Sequence, residues 1–170
     1  MNTTLNRLIL AGLAVVLIFS PWSSISCAGA EIVTQSGLQH AIGDATINLD
    51  TDELERMGGE REDPPNDYLA LLYILGALAA LVLAFRAHKS GDDGICKGAM
   101  ASHGAMALSL LLILVIGTAT ERDFNKQREG EKPDAISWNV EWGFWLALLA
   151  TAGLIAADVE KRKSKASQPD

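Results

Sequence analysis

Long apolar stretches alternate with polar blocks along this chain, and four of the stretches are long enough to predict membrane helices. Within 8–22, 68–85, 98–119 and 142–157 they contain no Lys, Arg, Asp or Glu, and at 1.5 Å per residue each covers most of a hydrocarbon layer about 30 Å thick. They lack the alternating polar positions of barrel strands. The pattern predicts an all-α membrane protein, a four-transmembrane-helix bundle, with helices at about 8–22, 68–86, 98–119 and 142–158. The 170 residues, 49% of them hydrophobic, form a single membrane domain in this interpretation.

The basic residues predict the orientation, because short cytoplasmic loops carry an excess of Lys and Arg. They lie before the first helix, between the second and third, and after the fourth: Arg7, Arg86, Lys89, Lys97, Lys161, Arg162, Lys163 and Lys165. We therefore expect a multi-pass protein of the plasma or inner membrane with both termini in the cytoplasm. The basic cytoplasmic tail, 159–170, serves as an orientation signal or also holds anionic lipid headgroups.

The two longer connections are predicted to lie outside. Residues 23–67 hold ten acidic and two basic residues, and the second outer loop, 120–141, holds six acidic and four basic. Within the first, Glu31–Gln35 and Ala45–Asp50 are rich in β-prone residues. We expect a small β-hairpin or sheet covering the outer ends of the helices, followed by a solvated acidic linker. We expect the second outer loop to be irregular.

The N-terminal segment admits alternatives. Ala28-Gly29-Ala30 has the form of a signal-peptidase site, and cleavage there would leave three helices. Retention is favoured, since the polar stretch before that site is long. Acylation of Cys27 would need an aliphatic residue three positions earlier, where Ser24 stands. Because Cys27 and Cys96 are predicted on opposite faces of the membrane, no disulfide joins them.

Two sets of residues are explained by membrane insertion and helix packing, so neither of them indicates a ligand site. Four tryptophans are expected to be interface anchors: Trp22, Trp138, Trp142 and Trp145. Small residues recur at helical spacing, which favours close helix packing: Gly76, Ala80, Ala84, Ala101, Ala105, Ser109, Ala150 and Gly153. The last three tryptophans have the spacing of one helical face.

The apolar stretches offer little catalytic chemistry. His103 is the one ionisable side chain inside them, and we interpret it as a polar contact between helices. A haem site with His88 as second ligand and a calcium site in the acidic linker are weaker alternatives. No nucleophile elbow, phosphate loop or metal-ligand spacing is present. We predict no cofactor, no metal and no enzymatic activity.

The first loop resembles the beginning of the claudin-like tetraspan loop. The residues that carry the likeness are Pro21-Trp22, then Ile32-Val33-Thr34, then Gly37-Leu38. The resemblance implies four helices with a partly β-structured outer loop. This chain departs from the family pattern because Gln39 follows Leu38 where the family has Trp, and because Cys27 has no partner cysteine in the loop.

We expect a structural or accessory subunit whose helices and outer loop contact partners. Those partners are the lipid bilayer and other membrane chains or further copies of this one. Nucleic acid is not expected, since the predicted outer surface is acidic. The alternative is an oligomeric channel or transporter component.

Overall fold

The computed structural model describes residues 3–27, 30–48, 67–90, 97–127 and 136–166. The described chain is mostly helical. Its helices are α1 Thr3–Val16, α2 Gly37–Ile42, α3 Tyr68–Ser90, α4 Lys97–Gln127 and α5 Trp142–Ala166, with a 3-10 turn at Leu17–Phe19. Its strands are β1 Pro21–Cys27, β2 Ala30–Ser36, β3 Thr46–Ile47 and β4 Ile136–Val140.

Three of the described helices are long and apolar enough to cross a membrane. The apolar spans are Tyr68–Ser90, Gly98–Thr120 and Trp142–Lys161, whereas Thr4–Phe19 is a shorter apolar helix. The chain is therefore a membrane-embedded protein with three helices able to cross a bilayer, and the first predicted helix is shorter than these. It ends before residue 22, because Ser20 is extended at φ −81° and ψ 157° and β1 begins at Pro21.

The four long helices form a ring. α1 packs against α3 and α5, and α4 packs against the same two helices. Small side chains fill the interior: Ala11, Ala14, Ala77 and Ala147 have no exposed surface. Because lipid tails are as apolar as leucine, close backbone approach rather than burial from water stabilises such a bundle.

A four-stranded antiparallel sheet in the order β3-β2-β1-β4 lies at one end of the bundle, which we call the sheet end. β1 follows α1 directly, and β4 runs directly into α5. The predicted strand pair is present, as β2 pairs with β3 through Val33 and Ile47. The sequence prediction missed β1 and β4, which pair with each other from Ser23 opposite Val140 to Cys27 opposite Ile136.

A short helix, α2, connects β2 to β3 and packs on α3. Ser36 caps it: its hydroxyl accepts from the Gln39 amide while the Gln39 side chain accepts from the Ser36 amide. Gly43 ends it in the left-handed conformation, at φ 70°, which glycine adopts without steric cost. The sequence prediction did not include this helix.

Three helices run further than predicted, the first of them being α3, which continues past 86 to Ser90. α4 continues to Gln127, and α5 continues to Ala166, so the first eight residues of the predicted tail are helical. The physical reason is that no glycine or proline follows Gly117 until Gly130, or follows Gly153 until Pro169. The acidic linker 49–66, the Ala28-Gly29 pair and Cys96 lie outside the described residues.

Candidate functional site

A network of ionisable side chains lies inside the bundle at the end opposite the sheet. An Arg7 Nη2 nitrogen lies 2.7 Å from Asp158 Oδ1, and the His103 Nδ1 lies 2.8 Å from Asp158 Oδ2. Arg7 also donates to the Ala157 carbonyl oxygen at 3.3 Å. The side chains of Arg7, His103 and Asp158 are at most 9% exposed. We call these three residues the ionic cluster.

Each member of the cluster continues the buried face of its helix. On α5, Asp158 follows the buried positions Thr151 and Leu154, and on α4, His103 precedes Met106 and Leu110. These spacings of three and four residues place side chains on one helical face. The cluster therefore faces the bundle interior because its residues are in register with the core.

Arg7 has the same relation to α1. It precedes Ala11 and Ala14, both fully buried, at spacings of four and three. The cluster thus joins α1, α4 and α5, which lie around the ring. Charges in an apolar environment are strongly unfavourable unless they are paired, so the salt bridge fixes how these three helices meet.

Lys161 extends the buried polar group. It lies three residues after Asp158 on α5 and is 9% exposed, although the sequence placed it in the basic tail. Arg7 had been interpreted only as an orientation signal, and Asp158 as the last residue of the fourth helix. The sequence signal that could have identified Arg7, Asp158 and Lys161 as buried is their helical spacing from core residues of the same helix.

His103 is a polar contact between helices, as the sequence interpretation described it, and its partner is Asp158. The members of the alternative haem pair lie in different environments, since His103 is 4% exposed inside the bundle while His88 is exposed in the last turns of α3. Among the described residues, no three His, Cys, Asp or Glu side chains are placed to hold a metal ion.

The four tryptophans lie in two different environments. Trp22 is 1% exposed, donates to the Leu17 carbonyl oxygen at 2.8 Å, and meets the rings of Tyr73 and Phe144 edge-on. It is a core residue and cannot anchor in headgroups, which corrects the prediction. The reason is that the chain turns inward at Ser20 instead of leaving the bundle.

Trp138 is also not on a helical face with the others, because it lies in β4, where its ring covers Gly117 of α4. Trp142 and Trp145 are 56% and 46% exposed at the start of α5. Their assignment as interface anchors stays a prediction.

Most of the predicted packing residues lie between helices of this chain. Gly76 faces Met106 and the Ser102 carbonyl oxygen, and Gly153 faces Leu10. Ala80, Ser109 and Ala150 are buried, and Ala84 and Ala105 are partly buried. Ala101 is exposed, so the stripe on α4 leaves the interior at its first residue.

A second polar group lies at the sheet end, outside the apolar spans. Ser23 Oγ is 2.7 Å from His40 Nε2, and His40 Nδ1 is 3.9 Å from Asp67 Oδ2. It joins β1, α2 and the residue before α3. Burial lowers the pKa of His40 below its ordinary 6.5, and the Asp67 carboxylate opposes this in smaller measure.

Serine, histidine and aspartate are the residue types of a hydrolase triad, but the geometry of these three is that of a structural contact. A separation of 3.9 Å is beyond hydrogen-bond distance, and Ser23 is 4% exposed. Asp67 Oδ1 instead accepts from the Leu69 amide, which caps α3. We call Ser23, His40 and Asp67 the sheet-end latch.

Comparisons with protein-family models, with curated proteins and with solved structures found no match to this chain.

Proposed function

We propose that this protein is a non-enzymatic structural or accessory subunit of a membrane assembly. The observation that carries the proposal is the ionic cluster: buried charges that often mark transport pathways in membrane proteins are here used up in joining α1, α4 and α5. Within the described residues, the buried side chains Arg7, His103 and Asp158 thus contact one another across three helices. The surfaces that are left for contacts with partners are the outside of the bundle and the sheet.

The proposal includes four membrane crossings in a claudin-like arrangement, with both termini in the cytoplasm of a plasma or inner membrane. Support comes from the position of α1 in the ring, where it packs beside two spanning helices. Its exposed face is apolar, with Ile9 58% and Val16 65% exposed. In water such a face would be unfavourable, whereas in lipid it is not.

An impermeant thiol reagent tests that arrangement. In intact cells it should label Cys27 and leave Cys96 unlabelled, while both label after the membrane is opened. Equal labelling of the two in intact cells would contradict the arrangement.

The interior packing favours an accessory role over a channel. Ala11, Ala77, Met106 and Leu110, which come from three helices of the ring, have no exposed surface. A water-filled path through one copy would need polar or open positions there. The small residues that could admit another helix are instead on the outside of α4, where Gly104 has no heavy atom within 4 Å of its Cβ position and Ala101 is exposed one turn earlier.

Purification in mild detergent, followed by mass spectrometry of co-eluting chains, tests the accessory role. We expect a partner or a further copy to co-elute, and Gly104→Leu to weaken that association by filling the outer face of α4. Gly12→Leu is the matched control, because Gly12 is equally open but lies among the large side chains Ile9, Leu13 and Val16. A clean monomer, or equal effects of the two variants, would contradict the proposal.

A further inference from the structure

The last turns of α3 carry a groove of about 950 Å³ with two chemically distinct parts. Leu81, Val82 and Phe85 line it first, and Arg86, Lys89 and Ser90 line it towards the end of the helix. The spacing of three and four residues places both parts on one face of α3. An apolar floor thus leads directly into a cationic end.

Neither cation of the groove pairs with a carboxylate of the part of the chain that the structure describes. Within the described ranges, no carboxylate lies within 4 Å of Arg86 or Lys89, in contrast to Arg7. Both side chains are exposed, and so are Val82 and Phe85, at 53% and 55%. The groove therefore offers two exposed cations beside accessible apolar surface.

We propose that this groove binds an anionic phospholipid of the bilayer. One acyl chain lies along Leu81, Val82 and Phe85, and the phosphate is held by Arg86 and Lys89. Arg86 supplies a planar fork of donors suited to phosphate oxygens, and Lys89 supplies a point charge. A free phosphate would leave the apolar floor unused, and a zwitterionic headgroup would bring a cation of its own beside Arg86 and Lys89.

The position along α3 fits the same occupant. Val82 and Lys89 are separated by about 10 Å along the axis at 1.5 Å per residue, so the cations lie where a span reaches the headgroups. The proposed topology puts this end in the cytoplasm, whose leaflet is the anionic one. The inference needs α3 to cross a bilayer, and it does not need the protein to be an accessory subunit.

The test is native mass spectrometry of delipidated full-length protein with phosphatidylglycerol or phosphatidylcholine. We expect phosphatidylglycerol to bind more tightly, and Arg86→Gln with Lys89→Gln to weaken it about 30-fold, given the typical contribution of each basic residue at an anionic surface. Lys163→Gln is the control, since Lys163 is exposed near the same end on α5. It should leave binding unchanged.

Three results would overturn the proposal. They are equal binding of the two lipids, phosphatidylglycerol binding that survives the double substitution, and displacement of the lipid by inorganic phosphate alone. Phe85→Ser separates the apolar contribution, because it should weaken the lipid and leave any phosphate binding unchanged. Partner co-elution is measured separately, so failure here is distinguishable from failure of the accessory role.

Discussion

The two ends of the bundle are joined by polar groups of opposite kinds. The ionic cluster relies on full charges, placed in the apolar spans at nearly complete burial. The sheet-end latch relies on a histidine whose pKa is lowered by burial, next to a serine hydroxyl. The comparison teaches that inside the apolar helices the chain answers a buried charge with a counter-charge, whereas at the sheet end a buried histidine contacts a hydroxyl.

The largest effect is expected from removing the single anion of the ionic cluster. Asp158→Ala leaves Arg7 buried without a counter-charge, and breaking a buried pair in this way typically costs about 3–5 kcal/mol of unfolding free energy. Thermal denaturation in detergent, followed by size-exclusion chromatography, measures it. Glu160→Ala is the control, because Glu160 is exposed two residues further on. Equal melting of the two variants would show that the cluster does not hold the bundle.

A paired substitution sharpens that result. Replacing Arg7 and Asp158 together by leucine removes both charges, and such replacements are often neutral or stabilising. We expect the double variant to regain most of the stability that Asp158→Ala loses, although His103 loses its acceptor. A double variant as unstable as Asp158→Ala would mean that the carboxylate acts through a group other than Arg7.

A larger side chain at Gly143 should destabilise the sheet end. A Cβ there would overlap Ser20 Oγ and the Pro21 carbonyl oxygen, where the start of α5 crosses the entry to β1. Because backbone cannot move aside easily, Gly143→Ala should cost about 1–3 kcal/mol.

The control is Gly12→Ala, which meets no atom within 4 Å and should stabilise its helix by up to about 1 kcal/mol. The melting temperatures of the two variants should therefore shift in opposite directions. If both fell equally, the close approach at Gly143 would not be the cause.

The smallest expected effect is a pH dependence confined to the sheet end. Because the folded pKa of His40 is lowered, the unfolded chain binds the proton more strongly. The stability contributed by the neutral form is present above the ordinary value of 6.5. It is lost as pH falls from there through the lower folded pKa. Melting curves between pH 7.5 and roughly 5 measure it, and His40→Gln should flatten the dependence while Asp158→Ala leaves it in place.

The sequence predicted the elements that local patterns determine, and it missed those that depend on contacts between residues far apart in the chain. The three helices able to cross a membrane followed from local hydropathy, and β2 and β3 from short β-prone stretches. β1 and β4 did not, because Ile25 pairs with Trp138 across more than a hundred residues, while Trp22 and Trp138 look locally like helix ends. Their strand character comes from each other and not from their own composition.

Of the three residues of the ionic cluster, only one could be predicted from the sequence. His103 was visible because it stands inside an apolar stretch, whereas Arg7 and Asp158 stand at the margins of theirs. Basic residues next to an apolar stretch usually determine the orientation of its helix in the membrane. The sequence therefore indicated only an orientation signal for Arg7. Only the packing of α1 against α5 brings the two together, and one sequence cannot show which helices are neighbours.

The salt bridge between Arg7 and Asp158 has a consequence for how the protein is made. The two residues are 151 positions apart, so at typical elongation rates of about 5–20 residues per second Arg7 is synthesised roughly 8–30 s before its counter-charge. During that interval α1 lacks the carboxylate that pairs with Arg7 in the folded bundle. The contact between α1 and α5 can therefore form only after α5 has been synthesised.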